Sequence, residues 1–73
     1  MLIDWNTNRL PRGEGVDAIG RPMPPFTLMV DTETGECWHL AKGADGSFIR
    51  GPDGNLKEFC TKLVAPVTVW LFL

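Results

Sequence analysis

The sequence predicts a mostly β fold: a small antiparallel sheet, sandwich or partial barrel that carries an extended N-terminal arm. Turn signals recur about every ten residues between short runs of alternating apolar and polar residues. Residues 67–73 are rich in β-branched and aromatic side chains, which favour strands. With 8 glycines and 6 prolines among its 73 residues, the chain has little room for helices.

The length of the chain limits it to one domain. Domains of this size bury only roughly 60% of the surface that their unfolded chains expose, so their stability is marginal. They usually add a disulfide, a metal or association with another chain. The fractions of hydrophobic and charged residues, 44% and 22%, are typical of a globular domain and exclude disorder throughout the chain.

Residues 1–25 are predicted to form the arm, and residues 26–73 the β domain. Prolines and glycines are dense in the first segment, where they prevent a long helix and interrupt any strand. The apolar residues of the arm are too numerous for a free linker, so we expect it to lie on its own domain or on a neighbour. These residues are Leu2, Ile3, Trp5, Leu10, Val16, Ile19 and Met23.

The most clearly marked feature is a hairpin centred on Thr34 and Gly35. Residues 26–30 alternate as a strand does, and residues 37–41 form the return strand. Between them, Asp and Thr side chains can bond locally to the backbone, and Gly35 can adopt a positive φ. The sequence therefore predicts a tight connection between two antiparallel strands.

Two further turns are predicted at residues 43–46 and 51–55, on either side of a short strand at residues 47–50. Each turn contains an Asp-Gly pair, which is typical of turns. The pairs resemble each other, but we interpret them as turn markers only and expect no internal repeat.

Residues 56–64 are compatible with either a strand or a short helix. Alternation of apolar and polar residues favours a strand, whereas Leu56, Phe59 and Leu63 also fit helical spacing. Pro66 ends this segment, and residues 67–73 form the last predicted strand.

Charge and hydropathy exclude two classes of partner. The net charge is −2 and no basic patch is present, whereas binding to nucleic acid requires many cations to neutralise phosphates. No apolar run approaches the roughly 20 residues that span a bilayer. The N-terminal residues lack the basic and apolar regions of a signal peptide. We therefore expect a cytoplasmic or virion protein that contacts neither nucleic acid nor membrane.

Cys37, His39 and Cys60 are the only weak candidates for metal ligands. Cys37 and His39 lie two apart on a predicted strand and share a face, and Cys60 would reach them from a neighbouring strand. Structural zinc requires four ligands, usually with paired cysteines, and that spacing is absent here. Buried free thiols, a disulfide and a metal site all remain open, with free thiols the default in a reducing compartment.

No catalytic residue, cofactor or small-molecule substrate is expected. A Cys37–His39 nucleophile would need an orienting third group and a substrate pocket, and the sequence indicates neither. The carboxylates fall in predicted turns without the spacing of a calcium loop. Domains of this size rarely enclose a cleft of several hundred cubic ångströms on their own. The sequence therefore predicts a protein that is not an enzyme.

The two ends of the chain are the predicted interface. The C-terminal strand is apolar on both faces, and such a strand must be covered on both faces. Tryptophan is also enriched at the centres of protein interfaces. The predicted interface residues are Leu2, Ile3, Trp5, Leu10, Val67, Val69, Trp70, Leu71, Phe72 and Leu73.

Three functions are compatible with these features. The first is a non-catalytic structural or interaction subunit that packs into a larger or homo-oligomeric assembly. Bacteriophage virion accessory proteins, such as capsid decoration or tail components, have this character. The second is a small acidic inhibitor that meets a basic surface of one host protein with Asp31, Glu33, Glu36 and Asp45. The third is a β domain stapled by a metal at Cys37, His39 and Cys60.

Overall fold

The computed structural model describes residues 1–8, 10 and 12–72, with the side chain of Asn8 excepted. Six antiparallel strands form two small sheets, which confirms the predicted mostly β fold class. The elements, in chain order, are β1 (Leu2–Asp4), α1 (Trp5–Asn8), β2 (Gly13–Val16), β3 (Thr27–Asp31), β4 (Glu36–His39), β5 (Phe59–Lys62) and β6 (Thr68–Leu71).

The larger sheet has the strand order β1-β3-β4-β5. Its centre is the predicted hairpin, in which Val30 of β3 lies opposite Cys37 of β4. The pairing of β4 with β5 places Cys37 opposite Thr61. Residues 59–62, which the sequence left open between strand and helix, therefore form a strand.

The turn of the hairpin depends on Asp31 and Gly35. The Oδ1 atom of Asp31 accepts hydrogen bonds from the N–H groups of Glu33 and Thr34, at 2.9 and 3.3 Å. The Gly35 N–H donates to the Asp31 carbonyl at 2.9 Å, and Gly35 has a φ of 84°. A side chain at this position would overlap the carbonyl oxygen of Leu63. Glycine is therefore required here both by the backbone conformation and by the close approach of another segment.

The N-terminal segment contributes a strand to each sheet. Strand β1 pairs with β3, with Ile3 opposite Val30. Strand β2 pairs with β6 in the smaller sheet, with Glu14 opposite Trp70. We expected the arm to lie either on its own domain or on a neighbour. Strands β1 and β2 lie on its own domain.

Residues 41–57 form a small meander with an eight-residue repeat. Lys42 forms a β-bridge with Phe48. Arg50 and Leu56, each eight residues further along the chain, form the equivalent bridge. The backbone hydrogen bonds of the two turns match. In the first turn, the Gly43 N–H donates to Ser47 O and the Gly46 N–H donates to Gly43 O. In the second turn, the Gly51 N–H donates to Asn55 O and the Gly54 N–H donates to Gly51 O. The expectation that the two Asp-Gly pairs mark nothing larger than turns was wrong.

The repeat also explains why residues 47–50 do not form a full strand. Phe48 and Arg50 form isolated bridges to different neighbours, and Ile49 between them donates to the Ala41 carbonyl and accepts from the Lys57 N–H. Each bridge closes one five-residue turn, so the chain reverses before a longer ladder can form. The predicted strand at this position is therefore reduced to two bridging residues.

The buried apolar core is small. Val30, Cys37, Leu63 and Val67 are each no more than 5% exposed, and Ile3, Trp5, Met23 and Val69 pack against them. Glycines in β2 make room for this packing, since a side chain at Gly13 would meet the Trp5 ring and one at Gly15 would meet the sulfur of Met23. Trp5 and Met23 therefore fix β2 to the remainder of the chain.

Asp17 joins the turn after β2 to the connection between β5 and β6. Its side chain is fully buried, and its Oδ1 accepts hydrogen bonds from the N–H groups of Ile19 and Arg21, at 3.1 and 2.8 Å. Its Oδ2 accepts from Arg21 Nε at 3.1 Å and from the Val64 N–H at 3.0 Å. Burial alone would raise its pKa, but these hydrogen bonds outweigh burial and lower the pKa to about 2.

Candidate functional site

The C-terminal strand β6 presents uncovered apolar side chains. Trp70 is 43% exposed, Leu71 36% and Phe72 48%. Side chains alternate along a strand, so Val69 faces the core while Trp70 and Phe72 face the other side. The described part of the chain therefore covers this second face only in part.

The outer edge of β6 carries unpaired backbone groups. The Phe72 N–H donates to the Arg12 carbonyl, so Trp70 and Thr68 are the next residues that bond to β2. The N–H and C=O groups of Val69 and Leu71 then point away from β2. Neither residue's N–H has another backbone acceptor among the described residues. Such an edge is a template for pairing with a further strand.

No charged residue lies within this strand. Residues 63–72 contain no Asp, Glu, Lys or Arg. Soluble proteins usually protect exposed edges with charges, prolines or bulges. Pro66 lies before β6 rather than within it. The strand is therefore open to pairing and carries no charge that would repel an identical strand.

The other predicted interface residues are divided between surface and core. Leu2 is 55% exposed on β1, whereas Ile3, Trp5 and Val69 pack against the core. Val67 belongs to the core, at 5% exposure. Leu10 is half-buried, and Leu73 lies outside the described residues. Among the described residues of the predicted interface, the exposed side chains are therefore those of Trp70, Leu71 and Phe72 on the C-terminal segment and Leu2 on β1.

A groove of about 780 Å³ lies between β2 and residues 22–27. Three aromatic side chains line it: Trp5, Trp70 and Phe26. Arg12 and Glu14 bring one charge of each sign. We expected no cleft of this size in so short a chain, and the structure contains one. It exists because β2 and the segment that returns beside it separate after Met23, where Pro24 and Pro25 follow.

Phe26 holds an unusual backbone conformation at the rim of this groove. Its φ is 60°, in the left-handed region that costs a non-glycine residue about 1–2 kcal/mol. The Phe48 ring meets Phe26 edge-on at 5.0 Å, and the Lys42 ammonium lies 5.1 Å from the Phe26 centroid. The Phe26 side chain nevertheless remains 47% exposed. A strained residue that is not buried is a candidate for a functional contact.

The three suggested metal ligands do not come together. Cys37 and His39 share one face of β4, but Cys60 lies opposite Trp38 and so belongs to the other face. The ring of His39 is engaged at both nitrogens, Nδ1 with Leu40 O at 3.0 Å and Nε2 with Thr61 Oγ1 at 2.8 Å. Among the described residues, no group of three His, Cys, Asp or Glu side chains could hold a metal ion.

The two cysteines are free thiols in different environments. Cys37 is buried in the core and Cys60 is exposed. Burial raises the pKa of Cys37, despite the opposing effect of the Thr27 hydroxyl 3.4 Å from its sulfur. An activated nucleophile requires the opposite shift, toward the thiolate. This environment suits a small core residue.

The acidic residues suggested for an inhibitor are partly neutralised within the chain. The N-terminal ammonium lies 4.0 Å from Asp31 and 3.5 Å from Glu33. Lys62 lies 3.9 Å from Glu36. These contacts reduce the negative field that would attract a basic partner, so no observation favours this function.

The described residues contain no helix long and apolar enough to cross a membrane. Comparison with known proteins gives no match to a family model, to a curated protein or to a solved structure.

Proposed function

We propose that the protein is a non-catalytic structural subunit that assembles with copies of itself through strand β6. The observation that carries this proposal is the exposure of Trp70, Leu71 and Phe72 on a strand whose outer edge has unpaired backbone groups. An apolar, unprotected edge in a small domain is either an aggregation hazard or an interface.

A second copy of the chain suits this edge better than a charged partner. Two β6 strands can lie antiparallel about a twofold axis, so that each donates the N–H groups that the other accepts. Because residues 63–72 carry no charge, this pairing brings no like charges together. The two small sheets would then merge into one sheet of order β2-β6-β6-β2.

The same pairing would compensate for the small core. Few of the described side chains are fully buried in the single chain, and domains this short commonly gain stability by association. Burying two copies of Trp70 and Phe72 removes large aromatic surfaces from water, which favours association. A bacteriophage virion accessory protein, for capsid decoration or the tail, is one setting for such a subunit and stays a prediction.

Light scattering during size-exclusion chromatography tests the proposal. The protein is expected to elute with the mass of a dimer or a higher assembly at high micromolar concentration, and to dissociate on dilution. A strict monomer across that range would contradict self-assembly.

A further inference from the structure

The groove beside β2 contains an unpaired stretch of strand edge. The outer edge of β2 is paired with the returning chain at two points: Asp17 N–H donates to Arg21 O at 2.9 Å, and Met23 N–H donates to Gly15 O at 3.0 Å. Backbone groups alternate in direction along a strand, so the N–H and C=O of Gly13 also point to this outer side, toward the segment that follows Met23. That segment has turned away from β2 where it would lie opposite Gly13.

The prolines of the opposite wall have no N–H to offer the Gly13 carbonyl. Pro24 and Pro25 follow Met23, and proline has no N–H to donate. Gly13 consequently has no backbone partner on its outer side among the described residues. The Trp5 ring and Leu71 fill the space where a Gly13 side chain would lie, so an approaching backbone would reach Gly13 along the edge of β2.

Aromatic side chains surround this exposed backbone. Trp70 and Phe26 line the groove and are each close to half exposed. Phe26 keeps a left-handed conformation that glycine would adopt without strain. The Thr27 hydroxyl donates to Pro24 O at 2.6 Å, which ties the proline segment to the start of β3 and holds that turn in place.

We propose that this groove binds an extended, proline-containing segment of another protein. One residue of the segment exchanges two backbone hydrogen bonds with Gly13, as in an antiparallel pair. Prolines on either side of it lie against the rings of Trp70 and Phe26, since aromatic grooves recognise extended proline-rich chains. The single charges of Arg12 and Glu14 oppose each other, which favours an uncharged segment.

This proposal uses the backbone edge of β2, whereas assembly uses that of β6. Phe26 separates the two surfaces experimentally, since it lines the groove and is not part of β6. Trp70 belongs to both surfaces and therefore does not separate them.

A titration of the ¹⁵N-labelled protein, followed by NMR, tests the proposal with the peptide acetyl-Pro-Pro-Leu-Pro-Pro-amide. Saturable shifts are expected for the Gly13 amide and the Trp70 indole N–H below about 5 mM peptide. The control peptide acetyl-Gly-Gly-Leu-Gly-Gly-amide is expected to bind about tenfold more weakly, because it presents no proline rings.

The variant Phe26→Gly is expected to weaken binding of the proline peptide by about tenfold or more. Glycine relieves the positive φ, so the variant should retain the wild-type spectrum away from residue 26 and its contacts Lys42 and Phe48. The matched variant Ile19→Gly removes an exposed apolar side chain outside the groove and should bind as the wild type does. Absence of saturable shifts, or equal binding by wild type and Phe26→Gly, would overturn the proposal.

Discussion

Gly35 lies against the carbonyl of Leu63, and its own carbonyl accepts the Leu63 N–H at 2.8 Å. This contact joins the turn of the central hairpin to the chain that leaves β5. Leu63 is a core residue, so the contact also fixes part of the core. The hairpin turn is thus a structural junction as well as a reversal of the chain.

Gly35→Ala is expected to destabilise the fold by about 2–5 kcal/mol, the sum of left-handed strain and a forced shift of the Leu63 backbone. Gly46→Ala is the matched control, because Gly46 has a φ of 82° but open space around it. It should cost about 1–2 kcal/mol. Urea denaturation measures both variants, and equal losses would show that the contact with Leu63 contributes nothing.

Ala44→Pro is expected to stabilise the protein by about 0.4–1 kcal/mol. Ala44 holds the position that Pro52 holds in the matching turn, and each residue follows a glycine. Ser47→Pro is the opposing control, because the Ser47 N–H donates to Asp45 Oδ1 at 3.1 Å and proline removes that donor. A loss of stability in Ala44→Pro would argue against equivalence of the two turns.

Acid should destabilise the fold through Asp17. The pKa of this carboxyl is about 2 in the folded protein, below its ordinary value of 3.8. Between these two values the unfolded chain binds the proton more readily, so stability falls as the pH is lowered. The contribution is complete above pH 3.8 and is lost as the pH falls through about 2.

Thermal melting of Asp17→Asn from pH 7 to about pH 2 tests this assignment. The variant should be less stable than the wild type at pH 7, and the difference should shrink at the acid end. Glu14→Gln serves as the control, since Glu14 is exposed and outside the Asp17 network. A constant difference between wild type and Asp17→Asn across the range would contradict the role of the charge.

The two thiols should react at very different rates. Cys60 is exposed, whereas Cys37 is buried and its pKa is raised. A thiol reagent should therefore modify Cys60 rapidly and Cys37 only on unfolding. Labelling in buffer and in guanidinium measures this directly, with Cys60→Ser to assign the fast phase. Rapid modification of Cys37 in the folded protein would contradict its place in the core.

The local features of the fold were predictable and the long-range ones were not. The hairpin at Gly35 follows from turn chemistry and alternation within a dozen or so residues. The pairing of β2 with β6 joins segments at opposite ends of the chain, and nothing in the glycine-rich sequence of β2 indicates its partner. Its glycines are explained only by Trp5 and Met23, which pack against them.

Two features were missed although signals for them were present. The repeat is visible as Gly-x-Asp-Gly followed by Ser or Asn and an apolar residue, at positions 43–48 and again at 51–56. The groove follows from two consecutive prolines, which end the pairing with β2 and leave Gly13 uncovered. The conformation of Phe26 had no such signal, because a positive φ normally selects glycine or asparagine.

Assembly through β6 is the central claim, and Trp70→Lys tests it most directly. Lysine at this exposed position places a charge on each of two strands that would lie side by side, without changing the core. Ile19→Lys is the matched control, because it exchanges an exposed apolar residue for the same charge outside β6. Light scattering should find the wild type and Ile19→Lys assembled and Trp70→Lys monomeric. Equal masses for all three proteins would contradict the claim.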